Sequence, residues 1–121
     1  MIAAEENLIA LYRTALAGDS AATVHARDLP ALLAQHEQHL TRLRARLIQP
    51  PGTTTAAASP RPSAKESAAA PERVTIARLR AAERASAAGL VRRLATTEPA
   101  LAQLLASIAA SDATHVAVLG G

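Results

Sequence analysis

Apolar side chains recur every three or four positions along four stretches of the chain, the spacing of an α-helix with one buried face. The stretches cover about residues 2–17, 29–48, 72–95 and 98–119. Residues 49–71 lack this period and are rich in Pro, Ser, Thr and Ala, so they are predicted to form a linker. The pattern therefore predicts an all-α chain with four helices.

Turn and capping residues mark the ends of these helices. Residues 18–20 (Gly-Asp-Ser) predict the end of the first helix. Asp28 is placed to cap the second helix, and residues 50–52 (Pro-Pro-Gly) end it. Thr97 is predicted to cap the fourth helix, with Pro99 in its first turn.

The lengths of the connections suggest how the helices are arranged. The first and third connections are short, so each is expected to join an antiparallel helical hairpin. The middle connection has over twenty residues and extends to ~70 Å, whereas a twenty-residue helix is ~30 Å long. It can therefore cross the whole bundle and leave the second and third helices parallel. An up-down-up-down bundle with a loose tether fits the same lengths, so both topologies stay open.

The composition fits this picture and narrows the chemistry. The 121 residues fit a single domain, residues 1–121. Ala and Leu dominate the apolar half, Phe and Trp do not occur, and Tyr12 is the only aromatic residue. Cysteine does not occur either, which excludes disulfides and thiolate metal sites. The net charge of +3 rests on arginines and Lys65 without stacking aromatics, so no nucleic-acid partner is expected.

Patterns of targeting and assembly give further expectations. No uninterrupted apolar run approaches the ~18 residues that span a bilayer, and no signal-peptide pattern occurs. A cytoplasmic protein with no membrane partner is therefore expected, although helical periodicity begins almost at Met1 and an upstream segment can be missing. A small Ala-rich bundle gains by burying more surface, which favours a homodimer or higher homo-oligomer. Hydrolase and nucleotide-binding motifs do not occur.

Ionisable side chains interrupt the apolar stripe of every helix. The six are Glu5, His36, His39, Glu83, Asp112 and His115. Counted from the helix ends at 1.5 Å per residue, their depths match to within roughly one or two turns, so all six can meet in one layer. Burying an unpaired charge costs several kcal/mol, so such residues need one another or a cation. Glu6 and Glu37 fall off the stripes and are expected to be solvated.

This set of residues resembles that of ferritin-like di-iron carboxylate proteins, in which helices 1 and 3 each give a Glu and helices 2 and 4 each give Glu-x-x-His. Glu5 and Glu83 match the single glutamates. Residues 36–39 (His-Glu-Gln-His) and 112–115 (Asp-Ala-Thr-His) match the two motifs, with histidine and aspartate replacing the leading glutamates. The segments QHEQHLTRLRARL and SIAASDATHVAVL are similar to short bacterial ferritin-like domains of unassigned role. The resemblance implies a ferritin-like bundle with one long crossover, a metal site built from the six residues, and Tyr12 beside the metal.

Two departures from the ferritin-like pattern bear on the metal. A glutamate bridges two ions through its two oxygens, and His36 cannot bridge in that way. Asp112 is one methylene shorter than glutamate. Iron is therefore one candidate, but an imidazole-rich site also suits zinc, copper or nickel, and a relic site without metal fits equally well. The implied function is metal binding, with redox chemistry, storage or handling of the ion.

A metal-free interpretation accounts for the same residues. The acids and histidines can pair with one another in a buried hydrogen-bond network that fixes the register of the bundle. Glu5 also complements the dipole of its helix, Tyr12 also fits as a core residue, and His25 has no evident role. On this interpretation the protein is a helical interaction or structural module with a degenerate metal site.

Overall fold

Four helices account for the regular structure in the computed structural model, which describes residues 1–18, 25–47 and 73–120. They are α1 (Ile2–Ala17), α2 (Asp28–Leu47), α3 (Ile76–Leu94) and α4 (Pro99–Val118). These three ranges contain no strand. The prediction of an all-helical chain with four helices is confirmed. The predicted linker lies outside the described residues, as do the turn residues 19–20 and 50–52.

The ends of α1 and α2 lie within one residue of the predicted bounds. Gly18 follows α1 with φ −97°, an extended conformation that does not require glycine. Asp28 was predicted to cap α2 from outside, but it is the first residue of the helix. The amides of Asp28 and Leu29 each donate to the carbonyl of His25 at 3.0 Å, so the loop backbone forms the first turn. The predicted last residue of α2, Ile48, lies outside the described part.

The start of α3 differs from the prediction by four residues, at Ile76 instead of position 72. Thr75 is the reason, because its backbone is extended and its hydroxyl accepts a hydrogen bond from the amide of Arg78 at 3.2 Å. A threonine in this position satisfies one of the amides that a helix N-terminus leaves unpaired.

The cap of α4 also differs, since Glu98 and not Thr97 caps this helix. The Glu98 carboxylate accepts from the amides of Ala100 (3.2 Å) and Leu101 (2.7 Å). The Thr97 hydroxyl instead donates to the carbonyl of Arg93 at 2.6 Å, near the end of α3. The charge of a carboxylate at this end also complements the helix dipole.

The apolar core is divided into two clusters. The first contains Leu8, Tyr12, Ala15, Leu29, Leu32, Val74, Leu79 and Leu119. The second contains Leu43, Leu90, Leu105, Ile108 and Ala109, with Met1 and Ile2 packed against it. On each helix the ionisable stripe residues fall between the members of these two clusters. The polar residues therefore form a layer that is covered by apolar side chains from both ends.

The helices surround this layer as four neighbours in a ring. α1 packs most extensively on α2, and α3 on α4. Smaller contacts join α1 to α3 and α2 to α4, and neither diagonal pair comes into close backbone contact in the described ranges. This arrangement is compatible with a four-helix bundle.

α4 is long and apolar enough, by length and composition, to cross a membrane. Its mean hydropathy reaches 1.3 over an 18-residue window, of which 28% is buried. α4 contains no uninterrupted apolar run of the length that spans a bilayer, because two serines, Asp112 and His115 lie within it. A core helix passes the same test, so this is a weak indication, and the absence of a membrane partner stays a prediction.

Candidate metal centre

The structure brings together all six ionisable residues predicted from the apolar stripes. Each is no more than 7% exposed, although their side chains come from four different helices. The two pairs three residues apart, one on α2 and one on α4, each lie on one helix face, as helical geometry requires. Glu6 and Glu37 are at the surface as expected, where each makes an ion pair with an arginine.

Glu83 is the central acceptor of the cluster. Its Oε1 accepts from the Tyr12 hydroxyl at 2.5 Å and lies 2.8 Å from His36 Nε2 and 3.2 Å from His115 Nδ1. Burial favours the neutral acid, but the hydrogen bonds from His115 and His36, the charge of His36 and the Tyr12 hydroxyl outweigh it and lower the pKa of Glu83 to about 2. Glu83 is therefore a carboxylate at neutral pH.

Tyr12 takes part in both environments that the sequence analysis considered for it, the apolar core and the polar layer. Its ring packs in the first apolar cluster, and its hydroxyl reaches the polar layer. Burial raises the pKa of the phenol, and the hydrogen bond and charge of Glu83 raise it further. The phenol therefore keeps its proton and acts as a donor to Glu83.

His36 lies between two carboxylates. Its Nδ1 is 3.0 Å from Glu5 Oε2 and its Nε2 is 2.8 Å from Glu83 Oε1. Burial disfavours the charged ring, but the hydrogen bonds to Glu5 and Glu83 and their negative charges outweigh it and raise the pKa of His36 to about 9. Without a metal, the imidazolium form satisfies both acids at once.

The pKa of His39 is shifted in the opposite direction from that of His36. Burial lowers its pKa and, together with the positive charges of His36, His115 and Arg42, outweighs the attraction of Glu5. Its Nδ1 lies 4.0 Å from Glu5 Oε2 and 4.0 Å from Asp112 Oδ1, too far for a hydrogen bond. A neutral imidazole with an unused nitrogen is the form in which histidine binds metals.

Asp112 is the carboxylate with the least support from hydrogen bonds. Burial raises its pKa to about 6, and the negative charges of Glu83 and Glu5 raise it as well, against the Ser86 hydroxyl and the charge of His36. Neither of its two oxygens makes a hydrogen bond of normal geometry within the described part of the chain. Both oxygens of Asp112 are therefore available as buried ligands for a cation.

Unpartnered polar atoms are concentrated in the cluster. Among the described residues, six buried side-chain atoms lack a hydrogen-bond partner, and five belong to the layer. The five are Glu5 Oε1, His39 Nδ1, Glu83 Oε2 and both carboxylate oxygens of Asp112. The sixth is Arg80 Nε. Buried polar atoms are nearly always satisfied, so five such atoms in one place call for a common partner.

Two overlapping groups of these residues could hold a metal ion. One is Glu5, His36, His39 and Asp112, and the other is His36, Glu83, Asp112 and His115; in each, one ligand atom per residue lies within 4.8 Å of the others. Ligands about 2.0–2.2 Å from one ion lie at most ~4.4 Å apart, so small side-chain rotations suffice. Imidazole and carboxylate donors suit iron, zinc, copper and nickel.

Two residues that the sequence analysis did not select support His115. Its Nε2 lies 2.9 Å from Gln35 Oε1 and 3.2 Å from the Ser111 hydroxyl. In a metal-bound form, Nε2 can carry the proton and donate it to Gln35, which leaves Nδ1 to bind the ion in place of its hydrogen bond to Glu83, as in many metal sites where the second ring nitrogen is fixed. Gln35 and Ser111 are polar and off the apolar stripes, so only the packing of α2 on α4 reveals them.

His25, for which no role was predicted, lies outside the layer. Its Nδ1 is 3.4 Å from Asp28 Oδ2 at the start of α2.

No protein-family model, no curated protein and no solved structure matches the chain. The resemblance to ferritin-like proteins therefore stays a prediction, and the chemistry of the site rests on its own residues.

Proposed function

We propose that this protein is a ferritin-like four-helix bundle that binds a transition-metal ion in its interior and serves in redox chemistry, storage or handling of that metal. The ligands are drawn from the six residues of the polar layer. The observation that carries the proposal is the group of five buried, unpartnered ligand atoms described above. Cations bound by the two overlapping ligand groups give these atoms partners, whereas further hydrogen bonds within the layer leave the excess of carboxylates uncompensated.

Contacts between the helices support the ferritin-like topology. Arg44 near the end of α2 donates a hydrogen bond to Glu6 near the start of α1. Arg13, later in α1, donates to Glu37, which is earlier in α2. This order of contacts is that of an antiparallel pair. Arg80 in α3 donates to the carbonyl of Gly120 beyond α4, which fits a second antiparallel pair. Leu29 near the start of α2 and Leu79 near the start of α3 lie in the same apolar cluster, so the end of α2 and the start of α3 lie at opposite ends of the bundle, which fits the single long crossover of ferritin-like proteins.

Metal analysis of protein purified without a histidine tag tests the proposal. We expect stoichiometric binding of at least one of Fe, Zn, Cu and Ni, and a rise in melting temperature on adding that ion to protein treated with chelator. An ion at one hundred times its Kd adds ~2.7 kcal/mol of stability, which corresponds to about 10 °C for a domain of this size.

Single histidine variants then locate the site. His39→Ala and His115→Ala are expected to lose most of the bound metal and of the thermal shift. His25→Ala is the matched control, because this histidine lies outside the layer, and it should bind metal like the unaltered protein. The proposal is wrong if no ion binds stoichiometrically, or if all three variants behave alike.

A structural module is the second candidate, favoured by one specific observation. Hydrogen bonds already connect the four helices without an ion, through Glu5, His36, Glu83 and His115. Such a network can fix the helix register by itself. In that case the chelator-treated protein keeps its full stability, and its role is to self-associate or dock. Light scattering tests the homodimer or larger homo-oligomer that we propose with this role, and a monomer at high concentration argues against it.

A further inference from the structure

The two ring nitrogens of His36 face the two possible metal positions. Nδ1 lies 3.0 Å from Glu5, a member of the first group, and Nε2 lies 2.8 Å from Glu83, a member of the second. His115 differs, because its Nδ1 faces Glu83 and its Nε2 faces the Gln35 amide. His36 is thus a member of both groups through opposite edges of one ring.

We propose that the filled site holds two divalent ions joined by the imidazolate ring of His36. One ion lies on the Nδ1 side with Glu5 and His39, and the other on the Nε2 side with Glu83 and His115. This inference rests on the proposed metal-binding function. Metal–nitrogen bonds of about 2.0–2.1 Å on opposite sides of one ring place the ions about 6 Å apart. Carboxylate-bridged pairs are closer, at about 3.5–4 Å.

The rings of the three histidines lie close together in the layer. The rings of His39 and His115 are nearly parallel, 11° apart, with centroids separated by 6.4 Å. The ring of His36 stands almost perpendicular to both, at 89° and 81°, with centroid distances of 5.7 and 4.9 Å. The assignment of one imidazole and one glutamate to each ion rests on the two ligand groups, since His39 is grouped with Glu5 and His115 with Glu83.

The charges of such a site balance. Two divalent ions carry four positive charges, and the carboxylates of Glu5, Glu83 and Asp112 with the imidazolate carry four negative ones. A single divalent ion with a neutral His36 leaves one negative charge in a layer that excludes water. Because an uncompensated buried charge costs several kcal/mol, a single ion requires a proton on one of the acids, whereas the pair of ions does not. The ring gives up both N–H protons, one to each cation that takes its place, and both protons pass to solvent.

The His36 ring is also held in place. It is fully buried, and its centroid lies 5.2 Å from that of Tyr12, whose hydroxyl is bonded to Glu83. The ring therefore cannot swing out to serve one ion alone without disturbing the core. Asp112 belongs to both groups and is the competing bridge, through its two oxygens.

Copper titration of the chelator-treated full chain tests the bridge. Cu(II) is the probe, because two cupric ions joined by imidazolate couple antiferromagnetically and lose their EPR signal at low temperature. We expect two copper ions per chain by elemental analysis and loss of most of the EPR signal that this copper content would give. X-ray absorption on the same sample is expected to show no copper–copper distance typical of a carboxylate-bridged pair.

Matched variants separate the two possible bridges. His36→Gln keeps a hydrogen-bonding side chain of similar size but cannot join two ions, so the remaining copper should give its full EPR signal. Asp112→Asn should keep the coupling. His39→Gln should bind one copper with full signal, because it removes a ligand from one side only.

Each outcome of the titration bears on one of the two proposals. If the chain binds none of copper, zinc, iron and nickel, the proposed function itself is overturned. One copper per chain, or two with the full EPR signal, overturns the bridge and leaves metal binding intact. Coupling that survives in His36→Gln and is lost in Asp112→Asn overturns it as well. The measurement on the unaltered chain decides even if a variant fails to fold.

Discussion

Replacing Glu83 by glutamine in the metal-free protein should destabilise it in a way that depends on pH. Glutamine keeps an oxygen that can accept from Tyr12 and His36, but it removes the negative charge beside the buried imidazolium. Below pH 6.5 His36 is protonated in both the folded and the unfolded chain, so its interaction with the two acids contributes fully. This contribution is lost as the pH rises through the folded-state pKa of about 9.

The magnitude follows from the pKa of His36. Each pKa unit corresponds to about 1.4 kcal/mol, so the rise from 6.5 to about 9 is worth ~3 kcal/mol, shared by Glu5 and Glu83. The lowered pKa of Glu83 arises from the same contact with His36, so it contributes no further stabilisation energy. Near pH 6 we expect a loss of ~2–3 kcal/mol, which includes about 1 kcal/mol for exchanging a charged acceptor for a neutral one. Above pH 9 the contribution of the charged His36 is absent, so the loss should fall to ~1 kcal/mol or less. The neutral amide also does not repel the ionised Asp112, whereas the carboxylate that it replaces does.

Urea unfolding followed by far-UV circular dichroism, in the presence of a chelator, measures the effect. Unaltered protein and Glu83→Gln are compared near pH 6 and above pH 9. Glu37→Gln is the control, because this glutamate makes an ion pair with Arg13 while its side chain is 47% exposed, and it should change stability by less than ~1 kcal/mol at both pH values. An equal loss for Glu83→Gln at the two pH values would refute the interaction with His36 as its source.

Three further predictions concern the metal, the core and the caps. The apparent affinity for zinc should rise about tenfold per pH unit between about pH 6.5 and 8, because the ion displaces a proton from His36, whose pKa is raised; calorimetry in buffers of different ionisation enthalpy that shows no proton release would contradict this. Leu79→Ala should cost about 2–5 kcal/mol in urea unfolding, because Leu79 is fully buried, while Val91→Ala, at a side chain 56% exposed, should cost under ~0.5 kcal/mol. Glu98→Ala should cost about 0.5–2 kcal/mol and speed amide exchange in the first turn of α4; Thr97→Ala should leave that exchange unchanged, and the reverse order would restore threonine as the cap.

The positions of the polar residues could be predicted from the sequence because helical geometry alone determines them. Glu83 and His115 replace leucines in stripes with a period of 3.6, and a residue on the buried stripe of a helix faces the core. Counting from the helix ends gave the common depth, since the rise per residue is constant. Both inferences depend only on the backbone.

The contacts within the layer could not be predicted in the same way. The position of His36 between Glu5 and Glu83 depends on rotamers and on how two pairs of helices are offset, which leave no mark on the sequence. Gln35 is next to His36 but points about 100° away around the helix, towards α4. Glu98 and Thr97 are neighbours, and both can cap α4. Which of them does so depends on where α3 ends, because the Thr97 hydroxyl donates to a carbonyl there.

The two apolar clusters on either side of the polar layer determine how an ion can enter. Leucines seal both ends of the bundle axis, so access has to be lateral, through a seam between neighbouring helices. Of the six layer residues His39 has the largest exposed fraction, and it is the one histidine of the layer with an unpartnered Nδ1. It is thus the natural first contact for an incoming ion. Uptake and release are therefore expected to be slow, limited by separation of the helices beside His39 and not by diffusion.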